Sequence, residues 1–338
     1  MSVIYERAGQ CELSSQRPRY LTIFDDPLYS CLVELHDLVN FETAKFWRAN
    51  RVRSIYLPVT TSSISSPMGL GSDSLPVKVD LFGVPTYLAD SMQFMLEYGC
   101  RLSENGCYYV MPCFRGEDTD TTHLSQFFHS EAEIPGGLDD VIATADAYVR
   151  HLAEAVLREL GERIERVAGG TEHIARLLRT ESARLTFDEA VVALDGDQDC
   201  FEVHDDWRTI TRIGERRLIE KFGPAVWLTH FDQLSVPFYQ ATSETGGQAL
   251  NADLLIGPGE VIGCGERHTD SDAVRAALAA HHVSEEDYAW YVRMKQERPI
   301  RTAGFGMGVE RFFMWVLHSD DIRALQLLER ANGVLSTP

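Results

Sequence analysis

The chain has 338 residues, 44% of them hydrophobic, enough to bury the core of one large domain or two ordinary ones. No run approaches the roughly 18 uninterrupted apolar residues of a membrane span, and the start, MSVIYERAGQCELSSQRPRY, lacks the basic-then-apolar order of a secretory signal, so a cytoplasmic protein with no membrane partner is expected. Fifty-one acids against 31 bases leave a net charge of −20, and with no Lys/Arg-rich arm to offset repulsion from a phosphate backbone, this weighs against a nucleic-acid partner.

Between Asp26 and Asn50, Leu28, Leu32, Leu35, Val39 and Phe46 recur at helical spacing, which predicts a helix. VRSIYLPVT (52–60) reads as a strand interrupted by Pro58, and a Ser/Gly/Pro-rich connection follows over 60–76. VKVDLFGVPTYLA reads as strand-turn-strand, and Ser91 to Tyr98 as a helix. YYVMPCFRGE and HLSQFFHSEAEI, joined by DTDTT, form a predicted hairpin with a charged tip. Leu138 to Arg179 reads as a helical pair broken at Gly169-Gly170, and AVWLTHF as a short buried strand. ALNADLLIGPGEVIGCGER gives two strands around Gly-Pro-Gly, and DSDAVRAALAAHHV a capped helix. GFGMGVERFFMWVLHS reads as a Gly-rich turn feeding an apolar helix. No repeat or linker composition divides the chain, so 1–338 is taken as one domain. The seven cysteines are scattered, odd in number and without a Cys-x2-Cys pair, which indicates reduced packing thiols rather than a disulfide framework or a structural zinc site.

Three segments carry chemistry. Arg115 and Glu117, separated by one residue, would share a face on a strand; they suit a phosphate and an amino group on one ligand, though taken alone such a pair is more often a surface salt bridge. In GFGMGVER the glycines at 304, 306 and 308 allow close approach of a ligand or of another backbone, and Arg311 follows at the helix mouth. DLLIGPGEVIGCGER sets Asp253 and Glu260 on consecutive strands; two carboxylates near a phosphate suit Mg2+, the alternative being exposed acids on a hairpin.

In this order, the three segments resemble the catalytic domain of class II aminoacyl-tRNA synthetases of the asparaginyl/aspartyl type. Residues 45–60, with Pro58, resemble motif 1, the dimer-forming strand; 108–134 resemble motif 2; and 303–318 resemble motif 3. YLADSMQFMLEYG is similar to the segment that binds the amino acid, and the likeness runs from about residue 25 to the end. The resemblance implies an α+β fold, an antiparallel sheet flanked by helices, in a homodimer. It also implies an ATP-dependent, AMP-forming ligase that makes an aminoacyl-adenylate. Arg115 and Arg311 would be catalytic, on the α- and γ-phosphates. Glu117, His123, Phe127, Glu260, Gly306 and Gly308 would complete the ATP site. Ser91, Gln93, Glu97, Tyr239 and Arg267 would bind the amino acid, and Asp253 and Glu260 would hold Mg2+.

Several positions depart from the family pattern. Thr122 stands where an Arg usually reaches the phosphates, and Gln126 where a Glu is usual. Leu96 replaces the Lys of aspartyl enzymes, with Glu97 following where asparaginyl enzymes read the amide. Glu266, beside Arg267, is an additional acid expected to favour a cationic or amide-bearing substrate, and RTAG replaces a His-containing approach to motif 3. The chain is expected to lack the anticodon-binding barrel of this subgroup. With the acidic charge, this leads to the expectation of a stand-alone, asparagine synthetase-like ligase acting on aspartate or a close analogue, with ammonia or another amine as acceptor and tRNA unlikely. The alternatives are a silent amino-acid-binding or regulatory paralogue and a truncated asparaginyl/aspartyl-tRNA synthetase.

Overall fold

Asp26 begins the first long helix, α1 (Pro27–Ala49): its carboxylate accepts from the Leu28 amide at 2.9 Å, and Pro27 sits in the first turn, where a missing N–H costs nothing. The structure is a computed structural model that describes residues 19–66, 75–195, 197 and 199–330. Cys11 and residues 67–74 of the Ser/Gly/Pro-rich connection lie outside the described residues. After α1 come β1 (Arg53–Ser54), a three-stranded side sheet ordered Thr60–Thr61, Val84–Leu88, Val77–Leu81, and α2 (Gln93–Gly99). The strand expected over 52–60 is therefore only two short pieces, because Pro58 has no amide to donate to a ladder.

β2 (Cys107–Phe114) and β3 (Gln126–Pro135) form the expected hairpin, and the expected helical pair follows as α3 (Leu138–Ala168) and Glu172–Arg179, with Gly169 ending α3 at φ 78°. β4 (Ala183–Thr186), a small hairpin (Phe201–Val203 with Arg208–Ile210) and α4 (Arg212–Phe222) fill a stretch for which no structure was expected. β5 (Val226–Thr229), β6 (Asn251–Ile256), β7 (Gly259–Glu266), β8 (Thr302–Gly308) and α5 (Val309–Val316) complete the layout. GFGMGVER is thus no turn: residues 304–308 lie within β8, a central strand.

The main sheet runs β1-β2-β3-β8-β7-β6-β5-β4, with the central pairings antiparallel and the outermost pairing at each end parallel. The fold is α+β, as expected. One face is buried under α1, α3 and α5, where Leu32, Leu35, Trp47, Tyr148, Phe312 and Phe313 form the main core. The six described free cysteines are all buried packing residues. No described helix is long and apolar enough to cross a membrane.

Candidate active site

The opposite face of the sheet is nearly bare at its centre. Gly306 pairs with Glu131 on one side and Gly263 on the other; two residues along, Gly304 pairs with Glu133 and Gly265. The period of two in β3, β7 and β8 puts all six positions on one face. A Cβ at Gly304 would collide with the Glu133 carboxylate, and one at Gly265 with the Gln240 side chain. The alternating glycines therefore make a flat backbone floor on which carboxylates lie.

At one end of this floor Arg267, directly after β7, is fully buried. Its Nη2 is 3.1 Å from Glu133 Oε2, Nη1 donates to Gln240 Oε1 at 3.0 Å, and Nη2 donates to Gln93 Oε1 at 3.3 Å. The guanidinium also lies 5.1 Å from the centre of the Tyr239 ring. Burial opposes the Arg267 charge, but the Glu133 carboxylate outweighs it and raises the arginine pKa; burial raises that of Glu133 despite the arginine. Ser91 Oγ donates to Glu131 Oε2 at 2.6 Å, so Ser91, Gln93, Tyr239 and Arg267 meet in one cavity of about 380 Å3.

Glu97 is not brought to that cavity. It is held beneath by Lys295 at 2.5 Å, by the Tyr291 hydroxyl at 2.5 Å and by Arg101 at 3.2 Å, so its lone pairs are committed within the protein. Glu266, the additional acid, faces away from the cavity: adjacent strand residues point to opposite faces, and its oxygens take Arg301 Nε at 2.6 Å and the Leu138 amide at 3.0 Å. It therefore adds no charge to the site.

At the other end a cavity of about 340 Å3 shares Arg115, His129, Glu260 and Gly306 with the first, so the two join at Arg115. β2 ends at Phe114, which places Arg115 and Glu117 in the loop beyond it rather than on a strand. The Arg115 guanidinium carbon lies 5.6 Å from the centre of the Phe127 ring, and its Nε is buried without a hydrogen-bond partner. Glu117 accepts from the Leu75 amide at 2.8 Å. Arg311, with Gly308 at its base, donates to the Glu260 backbone carbonyl at 3.0 Å and lies 3.1 Å from its carboxylate. At the hairpin tip, Asp120 takes the Thr122 amide at 2.6 Å and His123 Nδ1 at 3.0 Å, while Arg212, the first residue of α4, lies 3.0 Å from His123 Nε2. Burial and the neighbouring Arg311 charge lower the pKa of Arg212. A guanidinium thus reaches the tip from α4, beside the position where Thr122 supplies none.

Between the two ends three carboxylates converge. A Cβ on Gly263 would stand 3.2 Å from Glu260 Oε1 and 3.5 Å from Asp253 Oδ1, and Glu215 Oε2 accepts from the Glu260 amide at 3.3 Å. Burial, then Glu260, raises Asp253 well above the usual carboxylate range; the same two causes push Glu215 up to about 7. Hard oxygen donors crowded in this way, with Arg311 as the opposing charge, fit Mg2+. A carboxyl whose folded pKa exceeds its unfolded value loses stability as pH rises between the two. Glu215→Gln is therefore expected to raise the melting temperature at pH 8 without divalent ions, by up to about 3 kcal/mol of stability, and to change little at pH 5. Thermal unfolding at the two pH values checks it.

Glu131, Glu133 and His129 on β3, and Arg212 and Glu215 on α4, are site residues beyond those expected from sequence. Glu131 and Glu133 carried a signal, as acids two apart on a predicted strand and hence on one face. Arg212 and Glu215 carried none, since a mixed basic and acidic helix start is ordinary surface.

Residues 14–331 match the family described as tRNA synthetases class II (D, K and N). Over 349 residues the chain is 28% identical to the asparagine–tRNA ligase of Syntrophobacter fumaroxidans, covering 95% of this chain and 73% of that protein. Over 273 residues it is 27% identical to that of Thermoplasma acidophilum, covering 79% and 62% respectively. The asparaginyl-tRNA synthetase from Pyrococcus horikoshii complexed with asparaginyl-adenylate has the same fold, with a TM-score of 0.84 at 23% identity over 94% of this chain and 72% of that one. These relatives overturn two expectations: an asparagine synthetase-like ligase using ammonia or another amine, and the exclusion of tRNA. Net charge misled because its effect is screened within about 8–10 Å, so a docking face is decided by local charges.

Proposed function

Because the chain belongs to the class II tRNA synthetases of the D, K and N group, we propose that it activates asparagine with ATP as the acyl-adenylate and passes the acyl group to tRNA. The observation that carries this reading is the junction of the two cavities at Arg115, whose buried Nε has no hydrogen-bond partner among the described residues. A carboxylate approaching from the Arg267 side and an α-phosphate from the Phe127 side meet there. In-line attack of the carboxylate oxygen on the α-phosphorus expels pyrophosphate and needs no general base; Arg115 stabilises the charge that develops. Arg267 and Gln93 orient the amino acid, Phe127 stacks on the adenine, and Glu117 and His123 border the nucleotide. Arg311 grips the terminal phosphate. Mg2+, held by Asp253 and Glu260 with Glu215 beside them, would neutralise phosphate charge.

Arg212 joins Arg311 in that grip. Arg212→Ala is expected to raise the KM for ATP about tenfold while leaving that for the amino acid near its starting value, as steady-state exchange kinetics would record. The chain also works as a homodimer in this reading. β1 is an edge strand, and Tyr56, just beyond it, is wholly exposed. Light scattering should give twice the chain mass, and a monomer at micromolar concentration would remove the proposal.

The test of function has two arms: exchange of labelled pyrophosphate into ATP with each amino acid, and transfer of labelled asparagine to total tRNA. Exchange with asparagine and labelled tRNA are expected. Exchange with a different acid would reject asparagine, and exchange without any transfer to tRNA would reject the second step.

A further inference from the structure

Cys113, on β2, and His129 and Glu131, on β3, project from the same face of the hairpin, and their ligand atoms all lie within 4.8 Å of one another. Cys113 and Glu131 are buried, while His129 borders both cavities. The two oxygens of Glu131 are used differently. Oε2 accepts from the Ser91 hydroxyl at 2.6 Å and from the Tyr109 hydroxyl. Oε1 has neither donor and faces His129 Nδ1 at 2.8 Å. At that separation the imidazole and the carboxylate form an ion pair in the metal-free protein, so a metal would have to enter by parting them. Among the described residues the Cys113 sulfur has no nearer hydrogen-bond partner than the Met111 carbonyl, at 3.9 Å.

We infer that Cys113, His129 and Glu131 form a transition-metal site of the Zn2+ class, with its fourth position open to the amino-acid cavity. The donor set selects the metal. A thiolate, an imidazole and a carboxylate suit tetrahedral Zn2+, with bonds of about 2.0–2.3 Å that set ligand atoms about 3.3–3.8 Å apart, so His129 Nδ1 and Glu131 Oε1, now 2.8 Å apart, would separate slightly as the metal binds. Mg2+ requires oxygen and would not take the sulfur, so this site is distinct in kind from the Asp253/Glu260 cluster. The hydroxyls on Oε2 fix the carboxylate so that Oε1 is the ligand, as outer-sphere partners do. Gly306 leaves room above it: a Cβ there would stand 3.2 Å from Oε1. Burial and Glu131 hold the Cys113 thiol protonated in the metal-free protein. Binding therefore releases that proton to solvent as the sulfur–metal bond forms. Three protein ligands leave one position, which the amino group of the bound amino acid would fill; this last step rests on the activation reading above.

Co2+ added to the reduced, metal-free full chain tests the site by absorbance. Visible bands of tetrahedral Co2+ with a near-ultraviolet sulfur-to-cobalt band are expected, at one ion per chain. The sulfur band should vanish in Cys113→Ala, and the affinity should fall at least about tenfold in His129→Met, with circular dichroism unchanged in both. No sulfur band in the folded wild-type chain would overturn the site, and so would a band that survives in Cys113→Ala. Adding asparagine should shift the visible bands. If they stay fixed while pyrophosphate exchange proceeds, the metal site stands and the open position does not contact substrate. If exchange is absent but the sulfur band is present, the activation reading fails and the metal site stands.

Discussion

Arg115→Ala is expected to lower asparagine-dependent pyrophosphate exchange by roughly 10²–10³-fold, mostly in kcat, without changing the fold. Arg115 makes no ion pair within the described protein, and its Nε is buried without a partner, so its removal strands no carboxylate and costs little stability. The charge it would stabilise develops only as the carboxylate oxygen bonds to phosphorus, so ground-state affinity for either substrate should change less than kcat. The loss corresponds to about 2.7–4 kcal/mol of transition-state stabilisation. Arg115→Lys should recover only part of it, because an ammonium does not reproduce the planar fork of a guanidinium. Exchange kinetics with circular dichroism as a control decide the matter; full activity in Arg115→Ala would place the chemistry elsewhere.

The second large effect is on stability. Arg267→Met should cost about 3–5 kcal/mol at pH 8, because Glu133 is left buried without its partner. The folded-state pKa of Glu133 stands above its ordinary 4.5, burial outweighing Arg267 even in the intact pair. The folded chain therefore binds this proton more tightly than the unfolded one. The stabilisation from protonation is fully present below the unfolded value and is lost as pH rises through the folded value. The variant should thus be least stable at pH 8 and recover towards pH 5. A double variant, Arg267→Met with Glu133→Gln, should be more stable than Arg267→Met at pH 8. Equal unfolding midpoints for the two would show that the buried charge is not the cause.

The hairpin, the long first helix and the helix pair broken at Gly169 were legible because each depends on residues within a few positions of one another. The segments bearing Arg115, Arg311, Asp253 and Glu260 were legible by their order, and the structure gathers those four around the joined cavities. What escaped was non-local. Arg267 and Glu133 are 134 residues apart and meet only because β8 lies between β3 and β7. Residues 304–308 looked like a turn because glycine disfavours strands; here the missing Cβ atoms of Gly304 and Gly306 make space for the Glu133 and Glu131 carboxylates, and packing overrides propensity. Glu97 looked like a ligand for substrate because its partners, Lys295 and Tyr291, come from a helix nearly 200 residues away. The position of Arg212 depended on the start of α4, in a stretch whose short elements have no clear period.

The bare floor has one further consequence, for how such an enzyme can change. Where the pocket's own side chains rest on main chain, point mutation has no side chain to resize, and a larger residue at 304 or 265 collides with Glu133 or Gln240 before it can discriminate between ligands. Divergence towards a new acid must then run through the uprights: Gln93, Tyr239 and Gln240, which approach Arg267 from outside the sheet. Those three positions form a compact library for redirecting the pocket, while the floor beneath them is heritable as shape.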